Sequence, residues 1–416
     1  MTWMKKWTAN LCLLFFSLIV SLFMAELMLR FFEYKPAPDF ALTYRNYFRP
    51  DNEAGFDIQE NFPKTRARLE DSYTYEFWSN ELGCFDTPFS GHGSYILLLG
   101  DSFTHMFAPF QDKWGTILQE SLDFRVLKCG VTGYGTKQEY LKAQKIISRV
   151  KTPTKLIIIG YYINDFTEDY LFPMTTVVKG FTASLQKIAD LKSGTIIKKN
   201  IQTVEREVDA YQNTQRKKSS LVSNSLLYKK AKGFIRLLTA SLKQKPLSSQ
   251  KSSPMDWRHL FGFLVLPESE YPWIKTGWDM HFENFRAFKR LAEEQGAHLL
   301  VVMIPSQHEV YFPELLRENG IDLAAPGKKL REFFEKEKIS CLDLLPLFSH
   351  YAKQERNKVL DPGKDLYWRK DGHWSIKGNH LAGLLVARYI LEHNLVAIKN
   401  KDAKLEEVEE KLKSFK

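Results

Sequence analysis

Three observations predict an α/β chain built on a parallel sheet. Five short apolar runs have the look of buried strands, helical periodicity separates most of them, and glycine or polar residues follow them directly. The runs are Tyr95–Gly100, Arg125–Gly130, Lys155–Gly160, His298–Ile304 and Ile339–Leu344. A strand covered on both faces reads as a continuous apolar run rather than an alternating one. Helical spacing marks Lys113–Leu122, Thr136–Val150, Phe282–Gln295 and Lys328–Lys338, with a final helix at Ser375–Glu392. Strands alternating with helices imply a three-layer α/β/α sandwich. The connection from the third run to the fourth is too long for a crossover, so Tyr170–Gly277 is an insertion. It is expected to be mostly helical, with a Ser/Lys/Pro-rich loop at Ser241–Pro254. Tyr73–Ser79 alternates like a half-buried strand, and Tyr34–Pro63 reads as an extended stalk. Lys399–Lys416 is a charged helix expected to be exposed. There are no internal repeats.

The N-terminus predicts a membrane anchor. Lys5 and Lys6 precede Asn10–Ala25, which carries no charge and is dominated by Leu, Phe, Ile and Val. Continued to Leu29 the run gives ~20 residues, the length of a bilayer span. Phe23 stands where a signal-peptidase site wants a small residue, which argues for an uncleaved anchor. Glu26 and Arg30 are spaced to pair on one helical face. Lys5 and Lys6 favour a cytoplasmic tail and an exported body, periplasmic or extracellular. The expected organisation is a tail and transmembrane helix at 1–30 and a stalk with a lead-in strand at 31–90. The main domain then spans 91–398, carrying the basic insertion 170–277, and the charged helix spans 399–416.

The net charge of +10 is concentrated. Residues 171–270 hold 17 Lys and Arg against 7 Asp and Glu, and the remainder is balanced. A basic insert on a neutral body points to a local surface, a solvated helical face or a contact for anionic lipid or acidic glycan. No nucleic-acid signature accompanies it, and no aromatics are interleaved at stacking spacing. The cysteines Cys12, Cys84, Cys129 and Cys341 form no CxxC pair, which excludes a zinc ribbon or a thioredoxin-type site. With Cys12 in the apolar run, at most one disulfide joins the others, and Cys129 and Cys341 read as buried free thiols.

Ligands bind outside the carboxyl ends of strands in open parallel sheets. The residues there are Gly100-Asp101-Ser102-Phe103 after the first run and Gly130-Val131-Thr132-Gly133-Tyr134-Gly135 after the second. Gly160-Tyr161-Tyr162-Ile163-Asn164-Asp165 follows the third, and Asp371-Gly372-His373-Trp374 opens the last helix. Singly, each is ordinary turn or capping chemistry. Together, in this order, they resemble the SGNH (GDSL-like) hydrolase family. The resemblance covers roughly residues 95–138, 155–165, 298–345 and 361–395, and extends to the lead-in Asn80-Glu81-Leu82-Gly83. It implies flavodoxin-like layering and serine-dependent acyl transfer without a cofactor or metal. Many members place two residues between the Asp and the His, and here only Gly372 intervenes. Anchored, polysaccharide-modifying relatives often share that short block followed by Trp.

The resemblance assigns Ser102 as nucleophile, His373 as base and Asp371 as the group that orients it. A serine hydroxyl needs an adjacent base to take its proton as it attacks. The oxyanion donors implied are the backbone N–H of Ser102, the backbone N–H of Gly133 and the side-chain amide of Asn164. Each contributes roughly 2.7–4 kcal/mol to such a transition state. His105 is a rival base that reads better as a structural histidine, and His308 and Glu309 stand at the correct edge to line a cleft. No HExxH or clustered His/Cys spacing supports a metal, and Gly130–Gly135 does not match a nucleotide loop. The expected reaction is hydrolysis or O-acyl (acetyl) transfer on an envelope or extracellular glycan. The alternatives are a lysophospholipase or thioesterase on lipid esters, and a non-catalytic glycan-binding or assembly protein on the same fold.

Overall fold

The computed structural model describes residues 2–32, 44–218 and 266–415, apart from 70–72, 92, 319–323, 353–364, 369–370 and 414. Residues 1–37 with 205–255 form one unit, and residues 38–204 with 256–416 form the other. Helix α1 spans Thr2–Phe32. The expected bilayer span falls on this helix, whose side chains are described only in part. Among the described residues no helix is long and apolar enough to cross a membrane. Of the side chains that are described, Leu13, Phe15, Leu18, Ile19 and Phe23 are exposed apolar groups.

The larger unit opens with two antiparallel hairpins, β1 (Phe48–Asp51) with β2 (Gly55–Ile58) and β3 (Thr65–Leu69) with β4 (Tyr73–Phe77). Then come β5 (Tyr95–Gly100), the short helix α2 (Ser102–His105), α3 (Trp114–Leu122), β6 (Val126–Lys128), α4 (Thr136–Arg149), β7 (Thr154–Tyr161) and α5 (Asp165–Tyr170). The insertion starts with hairpins β8 (Thr175–Val178)–β9 (Phe181–Ser184) and β10 (Gln186–Asp190)–β11 (Thr195–Lys198), followed by α6 (Ile201–Lys218). Beyond it lie α7 (Trp273–Glu294), β12 (His298–Met303), α8 (Ala324–Glu337), β13 (Ser340–Asp343), α9 (Ile376–Glu392) and α10 (Lys401–Lys413).

The central sheet is parallel throughout and runs β13-β12-β7-β5-β6. Its strands divide their side chains between two cores, as a pleat with period two requires. Ile96, Leu98, Leu156, Ile158, Leu300 and Val302 pack with α3 and α9 on one face. Leu97, Leu99, Ile157, Ile159 and Val301 pack with α4, α7 and α8 on the other. Strand order reverses between β5 and its neighbours β6 and β7, and that reversal creates a crevice at their carboxyl ends.

Three expectations need correction. The segment expected to be a stalk is folded from Tyr44 onward: Tyr44, Tyr47, Phe48 and Phe56 are buried in a third core with Phe77, Met106, Phe107, Val131, Tyr134 and Trp368. Their aromatic faces give the hairpins enough apolar surface to dock, and Asp57 anchors them to α4 through Lys142 (2.6 Å) and Lys145 (2.9 Å). The insertion is not helical at its start, because β8–β9 pairs as a hairpin and leans on β2 through Thr176 Oγ1 to the Gly55 carbonyl at 3.0 Å. Residues 219–265, which hold 8 of those 17 Lys and Arg and the expected loop, are outside the described residues. Finally, Cys129 is not a free thiol: it is bonded to Cys84, while Cys341 is free. The C-terminal helix α10 is exposed along most of its length but buries Val408 and Leu412 against the core.

Candidate active site

The site is built at the ends of β5, β6 and β7. Each strand run closes in a glycine, and the three glycines make room for one side chain. A Cβ on Gly100 or Gly160 would meet Thr104 Oγ1 at 2.2 or 2.5 Å, and a Cβ on Gly130 would meet Thr104 Cβ at 2.8 Å. Thr104 of α2 is thereby seated deep between the strand ends, which sets Ser102 at the crevice. Asp101 caps α2, its Oδ1 accepting from the Phe103 N–H at 2.9 Å. Burial pushes the Asp101 carboxyl above its ordinary range, against the pull of that backbone hydrogen bond and of nearby His373. The Ser102 hydroxyl also lies 3.2 Å from Asp101 Oδ2.

His373 comes from the loop before α9. Its Nε2 is 2.7 Å from Ser102 Oγ, and its Nδ1 is 2.5 Å from Asp371 Oδ1. Asp371 Oδ1 also accepts from the His373 backbone N–H at 3.3 Å. With one residue between the pair, the carboxylate must curl back over the chain. Gly372 allows this by adopting φ +84°, a conformation that L side chains resist. The relay is open to solvent, the His373 and Asp371 side chains being 20% and 28% exposed.

The structure therefore brings Ser102, His373 and Asp371 into one hydrogen-bonded line. Gly133 follows β6 with φ +79°, and Asn164 caps α5 after β7 with its carboxamide oxygen buried and unpartnered. Those two and Ser102 thus stand at the ends of three adjacent strands. The His105 ring bonds Tyr47 and Thr132 rather than Ser102. It is fully buried, with Nε2 2.8 Å from Tyr47 Oη and Nδ1 accepting from the Thr132 N–H at 3.1 Å. Burial, then the charges of Lys113 and Lys142, hold its pKa well below the usual histidine range. Glu309 is a helix-capping residue, exchanging hydrogen bonds with Ser306 (2.8 and 3.2 Å). His308 is half-buried beside it. Among the described residues no group of His, Cys, Asp and Glu is arranged to hold a metal.

Several residues at the site escaped the sequence. Phe107 stacks on His373, ring centroids 3.9 Å apart and planes 2° from parallel, and Phe103 makes a tilted contact at 4.8 Å. Trp368 donates its indole N–H to the Phe107 carbonyl at 2.8 Å and its backbone N–H to the His373 carbonyl at 2.8 Å. Lys113 is buried and donates to the Met106 carbonyl at 2.9 Å. None of these has a local motif, since each is defined by what it touches across the fold.

A family model described as "SGNH hydrolase-like domain, acetyltransferase AlgX" matches residues 277–414, the part that supplies Asp371 and His373. Residues 277–414 are thus similar to an SGNH hydrolase-like domain. No curated protein matches the sequence. Solved structures similar to the chain include a putative lipolytic protein of the G-D-S-L family from Desulfitobacterium hafniense, at 11% identity and TM-score 0.33, covering 71% of this chain and 98% of that one. Another is a GDSL-like lipase from Bacteroides thetaiotaomicron, at 10% identity and TM-score 0.33, covering 72% and 88%. A variant of an acetyl xylan esterase from Geobacillus stearothermophilus aligns at 11% identity and TM-score 0.34, covering 74% and 100%. The site has the groups that ester-bond chemistry needs: a hydroxyl, an imidazole that can take its proton and a carboxylate that holds the imidazole.

Proposed function

We propose that this protein transfers an acyl group, acetyl in the favoured case, from an oxygen ester to Ser102 and on to water or a sugar hydroxyl of an envelope or extracellular glycan. The observation that carries the reading is the line Asp371–His373–Ser102 at the crevice of the sheet. As Ser102 Oγ attacks the acyl carbon, its proton passes to His373 Nε2, and Asp371 stabilises the imidazolium through Nδ1–H. The negative charge on the carbonyl oxygen is met by the N–H groups of Ser102 and Gly133 and the amide of Asn164. The intermediate collapses when His373 returns the proton to the departing alkoxide. A water or sugar hydroxyl then gives its proton to His373, attacks the acyl carbon and frees Ser102.

The acetyl group is supported by the acetyltransferase description of the matching family model, and the glycan by the short Asp371-Gly372-His373-Trp374 block. The exported, membrane-held placement is supported by the exposed apolar side chains of α1. It is also supported by the Cys84–Cys129 bond, since disulfides persist in oxidising compartments. The test is the full-length chain in detergent with p-nitrophenyl acetate, followed by acetylated and deacetylated glycans. Ser102→Ala and His373→Ala should each lower turnover by about four orders of magnitude or more, and the double variant should be little worse, because the residues act as a unit. Equal rates in wild type and Ser102→Ala would remove Ser102 as the nucleophile.

A further inference from the structure

We infer that Phe107 is a positioning residue for the base, fixing the plane of the His373 ring through a face-to-face stack. The inference rests on the acyl-transfer reading of Ser102 and His373 and adds a residue that the reading does not require. The hydrogen bonds of His373 leave one freedom open. Nδ1 is tied to Asp371 and Nε2 to Ser102, so both contacts lie along the ring's long axis. A ring held at two nearly opposite edge atoms can still rock about the line joining them. A flat surface against its face removes that motion, and the Phe107 ring supplies it at 3.9 Å and 2°.

The backbone of Phe107 is independent support. It lies in the left-handed region at φ +69°, where, among the described residues, the other non-glycine residues are Asn, Asp or Lys. A bulky aromatic residue there is an outlier that its surroundings must hold in place. Those surroundings tie it directly to the base: Trp368 bonds the Phe107 carbonyl with its indole and the His373 carbonyl with its backbone N–H, both at 2.8 Å. Trp368 is 2% exposed and Phe107 6%, so the bracket is packed as well as bonded. The same chain segment therefore carries the nucleophile at one end and the plate for its base at the other. The stack matters in both half-reactions, because His373 must face Ser102 Oγ in the first and the incoming hydroxyl in the second. When His373 is protonated, the aromatic face also attracts the cation.

The experiment compares Phe107→Leu, Phe107→Tyr and wild type as full-length protein in detergent with p-nitrophenyl acetate. It also records the His373 Cε1–H resonance, assigned by its loss in His373→Ala. Phe107→Leu should lower kcat about 10- to 100-fold while leaving KM nearly unchanged, the cost of a slightly misplaced catalytic group. Phe107→Tyr should restore most of it. The Cε1–H resonance should move downfield in Phe107→Leu, as the ring current above it is lost, and stay in place in Phe107→Tyr. An unchanged kcat in Phe107→Leu overturns the inference, as does equal damage in Leu and Tyr. If wild type itself shows no Ser102-dependent turnover, the acyl-transfer reading fails, and an unmoved resonance in Phe107→Leu then overturns the stack separately.

Discussion

Thr132 donates its backbone N–H to Nδ1 of His105 at 3.1 Å. An amide N–H can only donate, so Nδ1 must present its lone pair and Nε2 must carry the proton that goes to Tyr47 Oη. Burial keeps the imidazole neutral in that tautomer. His105 thus joins the hairpin unit at Tyr47 to the loop that presents Gly133, the proposed oxyanion donor.

His105→Ala should therefore lower kcat about 10-fold while sparing KM, a milder loss than His373→Ala. It should also cost about 1–3 kcal/mol of stability, because the Thr132 N–H and the Tyr47 hydroxyl oxygen lose their imidazole partner. Kinetics and thermal melts of the same preparation check both. A His105→Ala loss as large as that of His373→Ala would reopen the assignment of the base.

The seat of Thr104 gives a packing prediction. Gly160→Ala would push a Cβ to 2.5 Å from Thr104 Oγ1, displacing the turn that carries Ser102. Overpacking of this kind costs about 1–3 kcal/mol, with loss of turnover. Adding Thr104→Ala should recover much of both, because the clashing atom is gone. Strictly additive effects of the two substitutions would show that the contact does not set the nucleophile.

Behind the site lies a group of buried carboxyls, Glu139, Asp165, Glu168 and Asp169. Burial first, then the charges of Asp169 and Asp101, raises Glu168 to about 8 from 4.5. Glu139 and Asp165 are shifted upward as well, again chiefly by burial. A carboxyl with a raised folded pKa binds its proton more tightly in the native state. The stability it lends is full below its unfolded pKa and is lost as pH rises through the folded value. The protein should therefore melt lower at pH 9 than at pH 5, by on the order of a few kcal/mol. Glu168→Gln should flatten that slope, measured by thermal unfolding across the range. A slope that is unchanged in Glu168→Gln would assign the pH dependence to other groups.

The amino-acid sequence by itself determined the central sheet and singled out the candidate site residues. Strands β5, β6, β7 and β12 are largely buried on both faces, so each leaves a continuous apolar run, and β5 begins and ends where its run does. Ser102, Gly133, Asn164, Asp371 and His373 stand in short loop motifs whose meaning is local: a strand must end, a helix must start, and few residues suit the turn between. Tertiary structure decided what surrounds them. The hairpins β1–β2 and β8–β9 are four-residue strands with no periodicity to read, and they exist because Phe48, Phe56 and Val177 share one aromatic core. Cys84 and Cys129 stand on separate elements, and their pairing depends on the lead-in segment folding back on β6. Likewise, Phe107 looks like any core phenylalanine until Trp368 and His373 arrive from the far end of the chain. A side chain's role is legible in sequence when its partners are neighbours along the backbone, and contacts made across the fold carry no local pattern.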